Sequence, residues 1–92
     1  MTITMDLVIK RNPEMVFSDM DGEIVMMSIE RGEYYGMDAI GSEIWNMLDE
    51  EISVADICSG LCKRFDVEES ICRQDVLAFL EQMAERNIIL KA

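Results

Sequence analysis

Three cysteines, Cys58, Cys62 and Cys72, are the side chains best suited to chemistry in this chain, and no histidine accompanies them. Thiolates bind zinc and iron–sulfur clusters, and residues four apart share a helix face, so Cys58 and Cys62 invite a metal or redox reading. The spacing C-x3-C-x9-C fits neither a zinc knuckle nor the three-cysteine cluster motif of radical enzymes. Cys58 and Cys62 also fall on the apolar stripe of their own helix, where free cysteine behaves as a small buried hydrophobe. The missing histidine removes the commonest general base and the commonest neutral metal ligand. No Gly-rich phosphate loop and no Ser/His/Asp or Cys/His set can be assembled. Neither catalysis nor a metal or cofactor is expected.

The remaining candidates are binding surfaces. Over residues 71–86 the apolar positions, among them Cys72, Val76, Phe79, Leu80 and Met83, fill an arc of about 160° at 100° per residue. Two readings stand: a helix buried in a small core, or a helix whose edge Cys72, Val76, Phe79 and Met83 forms one wall of a groove rimmed by Asp75, Gln82 and Arg86. The run Glu33, Tyr34, Tyr35, Gly36, Met37 is a short aromatic strand that reads as an edge. An edge strand presents unpaired N–H and C=O groups that another extended chain can complete. Gly36 permits close approach of a foreign backbone, and Tyr34 and Tyr35 point to opposite faces, so at most one of them lines a given face. The alternative is a closed sheet with packed tyrosines.

These walls need elements to carry them. Strand-like runs over residues 5–9 and 15–18, separated by turn signals at 11–14 and 19–22, indicate a hairpin or meander. Residues 23–29 are apolar at alternate positions of both parities, as expected of a central strand covered on both sides. From Asp38, a plausible N-cap, the period changes to about 3.6, with Ile40, Ile44 and Leu48 in register and a helix ending near Asp49 and Glu50. Gly41 inside it is tolerated for close packing on the sheet. Ser53 and Asp56 form a capping-box-like start for a second helix, whose stripe runs Val54, Ile57, Cys58, Leu61, Cys62, Phe65. After an acidic connector a third helix covers about 71–86, followed by Asn87 and a short apolar tail, Ile88 to Leu90. The order is strands, then three helices: an α+β fold.

Ninety-two residues suffice for one modest core, and no linker or repeat divides them, so residues 1–92 are expected to form one domain. Nineteen acidic residues against eight basic ones give a formal charge of −11. That balance repels nucleic acid and anionic membranes and favours a basic or neutral partner. The N-terminus lacks a basic lead-in and a long apolar run, and no stretch approaches the ~20 apolar residues of a membrane span, so a cytoplasmic protein with reduced thiols is expected.

The ordered set Tyr34-Tyr35-Gly36-Met37-Asp38, Ile44-Trp45-Asn46-Met47-Leu48, Ser53-Val54-Ala55-Asp56-Ile57 and Asp75-Val76-Leu77-Ala78-Phe79-Leu80 before Asn87-Ile88-Ile89 resembles the PqqD-like family of RiPP recognition elements. These bind the leader segments of ribosomally made precursor peptides. The resemblance runs over about 15–90; the Tyr-Tyr-Gly stretch and Cys72-x2-Asp75-Val76 are most similar to members serving lasso-peptide pathways. It implies a winged helix-turn-helix-like fold with an N-terminal three-stranded antiparallel sheet followed by three helices. It further implies a leader added antiparallel to the third strand and lying against the third helix. Glu33, Tyr34, Tyr35, Gly36 and Met37 would supply the strand, and Cys72, Asp75, Val76, Phe79 and Met83 the helix wall. Met37 and Asp38 stand where the family more often has Leu and Asn. A separate leader peptidase and a separate cyclase would act on the presented precursor. Rival readings are a DNA-binding winged helix, disfavoured because Asp75, Glu81 and Glu85 outnumber Arg73 and Arg86 on the third helix, and a general protein-interaction domain.

Overall fold

A computed structural model of the chain describes residues 2–92, which fold into six strands and three helices in the order β1 (Val8–Arg11), β2 (Met15–Met20), β3 (Glu23–Ser28), β4 (Glu33–Gly36), α1 (Ala39–Met47), β5 (Ile52–Ser53), α2 (Val54–Arg64), α3 (Glu69–Glu85) and β6 (Ile89–Lys91). The α+β order and the three helices match the expectation. The strands, however, divide into two antiparallel sheets, β2-β3-β4 and β5-β1-β6.

The first sheet is the N-terminal three-stranded one. Asp21 (φ 59°) and Gly22 (φ 90°) supply the two left-handed positions of the β2–β3 turn, which match the right-handed strand twist. Asp19 Oδ1 accepts from the Gly22 N–H at 2.8 Å and holds that turn. β3 is central and β4 is an edge, as the run of residue types indicates.

The second sheet corrects the meander expectation for the first two runs. β1 pairs with β5 and with β6 rather than with β2, in the register Ile9↔Ile52 and Lys10↔Leu90. The apolar tail is therefore a strand, and the N-terminal segment clamps both the α1–α2 connection and the C-terminus. A Schellman end delivers the tail to this pairing. Asn87 adopts φ 57°, its N–H donates to Ala84 O at 3.0 Å, and the Ile88 N–H donates to Met83 O at 2.9 Å. Asparagine tolerates this left-handed position better than most residues.

The helices start where their caps stand. Asp38 Oδ1 accepts from the Gly41 N–H at 2.8 Å and Ser53 Oγ from the Asp56 N–H at 3.1 Å. α3 begins at Glu69, two residues before the apolar stripe does, because its first turn lies in water and carries acid rather than hydrophobe. The core forms where Ile24 and Met26 of β3, Ile44, Trp45 and Leu48, Ile57 and Leu61 of α2, Val76 and Leu80 of α3, and Ile9 and Ile89 of the second sheet converge, all buried.

One hydroxyl joins sheet to helix. The Met37 N–H donates to Ile24 O at 2.9 Å, but the Ile24 N–H donates instead to Ser42 Oγ at 2.9 Å, and Ser42 in turn donates to Met37 O at 3.3 Å. Ser42→Ala leaves that buried N–H without an acceptor. It is expected to cost about 1–3 kcal/mol, read as a lower urea midpoint at unchanged slope; an unchanged midpoint refutes this role.

Covering of β3 on both faces is also corrected. Ile24, Met26 and Ser28 are buried, whereas Val25 is exposed and Met27 half-buried, because all three helices lie on one side of this sheet. Gly41 is likewise not packed on the sheet: a Cβ there would meet Cζ of Phe79 at 3.0 Å, so the glycine makes room for α3.

Candidate leader-binding groove

The groove walls are built by β4 and α3. Because the Met37 N–H points inward to Ile24 and an antiparallel ladder alternates its bonding direction, the N–H and C=O groups of Glu33 and Tyr35 also face β3. Those of Tyr34 and Gly36 face the free edge, toward the space beside α3. The side chains sort differently. Tyr35 turns into the molecule and is buried, its hydroxyl donating to Glu33 Oε2 at 3.0 Å and its ring lying 5.2 Å from the Arg86 guanidinium. Tyr34 stands on the opposite face, 74% exposed.

Along α3 lie two cavities that share Phe79. The smaller, about 40 Å³, is lined by Tyr35, Gly36 and Met37 on the strand side and by Gln82, Met83 and Arg86 on the helix side. The larger, about 300 Å³, sits where the start of α1, the end of α2 and α3 meet, with Ile40, Ile44, Leu61, Phe65 and Val76 in its wall. Half-buried Phe79 lines both and separates them. The turn after β3 closes the far end, where Arg31 donates to Glu85 O at 3.0 Å.

Of the residues singled out in sequence, Cys72, Asp75, Val76 and Phe79 line the large cavity and Tyr35, Gly36, Met37, Phe79 and Met83 the small one. Glu33 and Tyr34 line neither; Glu33 carries the Tyr35 hydroxyl, and Tyr34 offers only its backbone to the groove. Sequence reasoning missed the α1 and α2 contribution. Ile40, Val67 and Ile71 are exposed apolar residues around the large cavity; Ile40 belongs by spacing to the stripe of the first helix, whereas Val67 and Ile71 are legible as hydrophobes just outside the helix stripes. The carboxylates of Asp38 and Asp75 sit at the same mouth, so the apolar pocket has an acidic lip that suits a hydrophobic residue flanked by lysine or arginine.

The three thiols meet between α2 and α3 and are unpaired, Cys58 and Cys72 buried and Cys62 half-buried. Burial, reinforced by the thiol–thiol hydrogen bond with Cys62, pushes Cys72 up to about 11, and burial likewise raises Cys58. Both stay protonated at neutral pH, the unreactive form for a thiol. Among the described residues no group of three His, Cys, Asp or Glu side chains is arranged to hold a metal ion, and no helix is long and apolar enough to cross a membrane.

An edge strand facing a helix across a small cleft, with an apolar cavity continuing along that helix, is the geometry of a peptide-binding module. The profile of the family described as Coenzyme PQQ synthesis protein D (PqqD) matches residues 23–89, and the chain belongs to this family. No curated protein matches the chain. Among solved structures it is similar to TbiB1 in complex with the TbiA(beta) leader peptide, at 29% identity and a TM-score of 0.82 over 87% of this chain and 93% of that one. It shares the fold of Lasso peptide synthetase B1 complexed with the leader peptide, at 23% identity and a TM-score of 0.78 over 89% and 96%. The same holds for the PqqD truncation of Methylobacterium extorquens PqqCD, described as a functional and stand-alone RiPP recognition element, at 15% identity and a TM-score of 0.79 over 97% and 95%.

Proposed function

We propose that residues 1–92 act as one non-catalytic module that captures the leader of a ribosomally synthesised precursor peptide and presents it to a separate leader peptidase and cyclase of the lasso-peptide type. The observation that carries this reading is the free edge of β4 beside α3: Tyr34 and Gly36 turn their backbone groups toward the groove in which the two cavities meet at Phe79. A leader strand would add to that edge and send alternate side chains into the cavities. The complexes of TbiB1 and of Lasso peptide synthetase B1 support the reading. So does the chain's chemistry, with no histidine and with buried thiols held protonated. Unpaired cysteines fit work in a reducing cytoplasm.

Calorimetric titration with a synthetic peptide spanning the leader of the precursor encoded beside this chain's gene is expected to give low-micromolar or tighter binding. Backbone bonds at ~0.5–1.5 kcal/mol each and two or three apolar anchors at ~1.5–3 kcal/mol each outweigh roughly 2–5 kcal/mol of ordering. The core segment of the same precursor is expected not to bind. Equal binding of leader and core, or millimolar affinity, rejects leader recognition.

A further inference from the structure

The sheet β2-β3-β4 has a second open edge, at β2. Among the described residues β3 is the only strand paired with β2, in an unbroken register from Met15↔Ser28 to Met20↔Glu23. Because Glu33 and Tyr35 bond toward β3, Met26 and Ser28 bond toward β4, and Val25 and Met27 toward β2. Val16 and Ser18 therefore bond inward, and the backbone groups of Phe17 and Asp19 face out. Met15 offers only its carbonyl to this edge, since its N–H donates to Asn12 O at 3.1 Å. An edge of six residues with no proline, lysine or bulge lacks the usual guards against further pairing. Phe17, in the row Phe17↔Met26↔Tyr35 on the helix-side face, is 41% exposed. Its ring stands edge-on to Trp45 with centroids 5.3 Å apart, and the Arg11 guanidinium lies 4.9 Å from it.

We infer that β2 pairs with β2 of a second copy of this chain, antiparallel about a two-fold axis at Phe17, to give one continuous six-stranded sheet. The edge is self-complementary. The two Phe17 residues exchange both of their backbone bonds, and each Asp19 N–H donates to Met15 O of the other copy. On the helix-side face the two Phe17 rings meet. Asp19 of one copy stands diagonally from Phe17 of the other, within reach of the Arg11 stacked on that ring. Asp19 spends only Oδ1 on the Gly22 N–H, and Arg11 Nη1 meets exposed Asp49 only loosely, at 3.7 Å. Each edge thus brings one cation and one anion, which the axis joins as two opposite pairs, whereas β4 carries Glu33 and no basic residue. The formal charge of −11 opposes association, but the acids that approach at the ends of the pairing, Glu14 and Asp21, are exposed and screened beyond about 8 Å at physiological salt. Both β4 edges stay open at the two ends of the joined sheet, so the pairing is independent of the leader-binding reading.

Sedimentation velocity in physiological salt, from low-micromolar to submillimolar chain, is expected to show the parent passing from monomer to dimer. Phe17→Ala removes the ring, and Phe17→Pro removes the ring and the outward N–H. Both are expected to melt cooperatively, and the proline variant to dimerise at least about tenfold more weakly than the alanine variant. Asp19→Asn keeps an acceptor for the Gly22 N–H and deletes the carboxylate charge. It is expected to weaken the dimer about threefold or more, whereas association that does not use Arg11 would tighten as repulsion between the copies falls. Saturating synthetic leader is expected to leave the dimer intact. A parent that stays monomeric throughout overturns the inference, as does equal dimerisation of Phe17→Pro and Phe17→Ala or a tighter dimer in Asp19→Asn. A dimer that the leader dissociates overturns it by assigning the association to β4.

Discussion

Tyr34→Pro is expected to keep the fold and weaken leader binding, whereas Tyr35→Pro is expected to lose the fold. Proline deletes one N–H, and the two positions point that N–H in opposite directions. The Tyr35 N–H belongs to the inward set that includes Met37 N–H to Ile24 O, so its loss breaks a ladder bond within the sheet. It also removes a buried ring packed under Arg86, and a proline inside such a ladder deletes the bond and leaves the facing carbonyl unpaired, a further ~1–3 kcal/mol. The Tyr34 N–H faces the free edge, and its ring is exposed, so stability is expected to hold within about 1 kcal/mol. A leader carbonyl that loses this donor is left unpaired, a penalty of about 1–3 kcal/mol, or roughly 5- to 150-fold in affinity. Tyr34→Ala and Tyr35→Ala separate loss of the ring from loss of the N–H, with thermal melts and leader titration run on all four. Tyr34→Pro binding the leader as well as Tyr34→Ala does would show that no strand adds at this edge.

Phe79→Ala is expected to give the second large effect, through the opposite wall. The ring separates the cavities and touches α1 at Gly41, where a Cβ would come within 3.0 Å of Cζ. Because Phe79 is only half-buried, its truncation should destabilise the chain by less than the ~3–5 kcal/mol of a fully buried phenylalanine. Joining the two cavities removes the surface on which neighbouring leader anchors rest, at about 1.5–3 kcal/mol of lost contact, or roughly 10- to 150-fold in affinity. Gly41→Ala supplies a milder perturbation that displaces the ring tip instead of deleting it, with an intermediate loss expected. If Phe79→Ala costs stability in full and leaves leader affinity unchanged, the ring is core and the groove lies elsewhere.

What the sequence determined by itself was local. The stripe Val54, Ile57, Cys58, Leu61 and the caps Asp38 and Ser53 specify helices because they act over three or four residues. Asn87 ends the third helix for the same reason. The edge character of residues 33–36 and the placement of Phe79 and Met83 on the apolar arc of the third helix follow from period and composition. Tertiary structure decided the rest. Strands of two and three residues, β5 and β6, have no period to read, and their partner β1 lies far from them in sequence, so the second sheet emerges only when the ends are brought together. Alternation told that β3 is apolar on both faces but not that every helix would settle on one of them, leaving Val25 and Val16 in water. Which tyrosine turns inward depended on register, and register was set by the Met37–Ile24 bond and the Ser42 hydroxyl at the strand's end, where a shift of one residue would have exchanged the faces of Tyr34 and Tyr35.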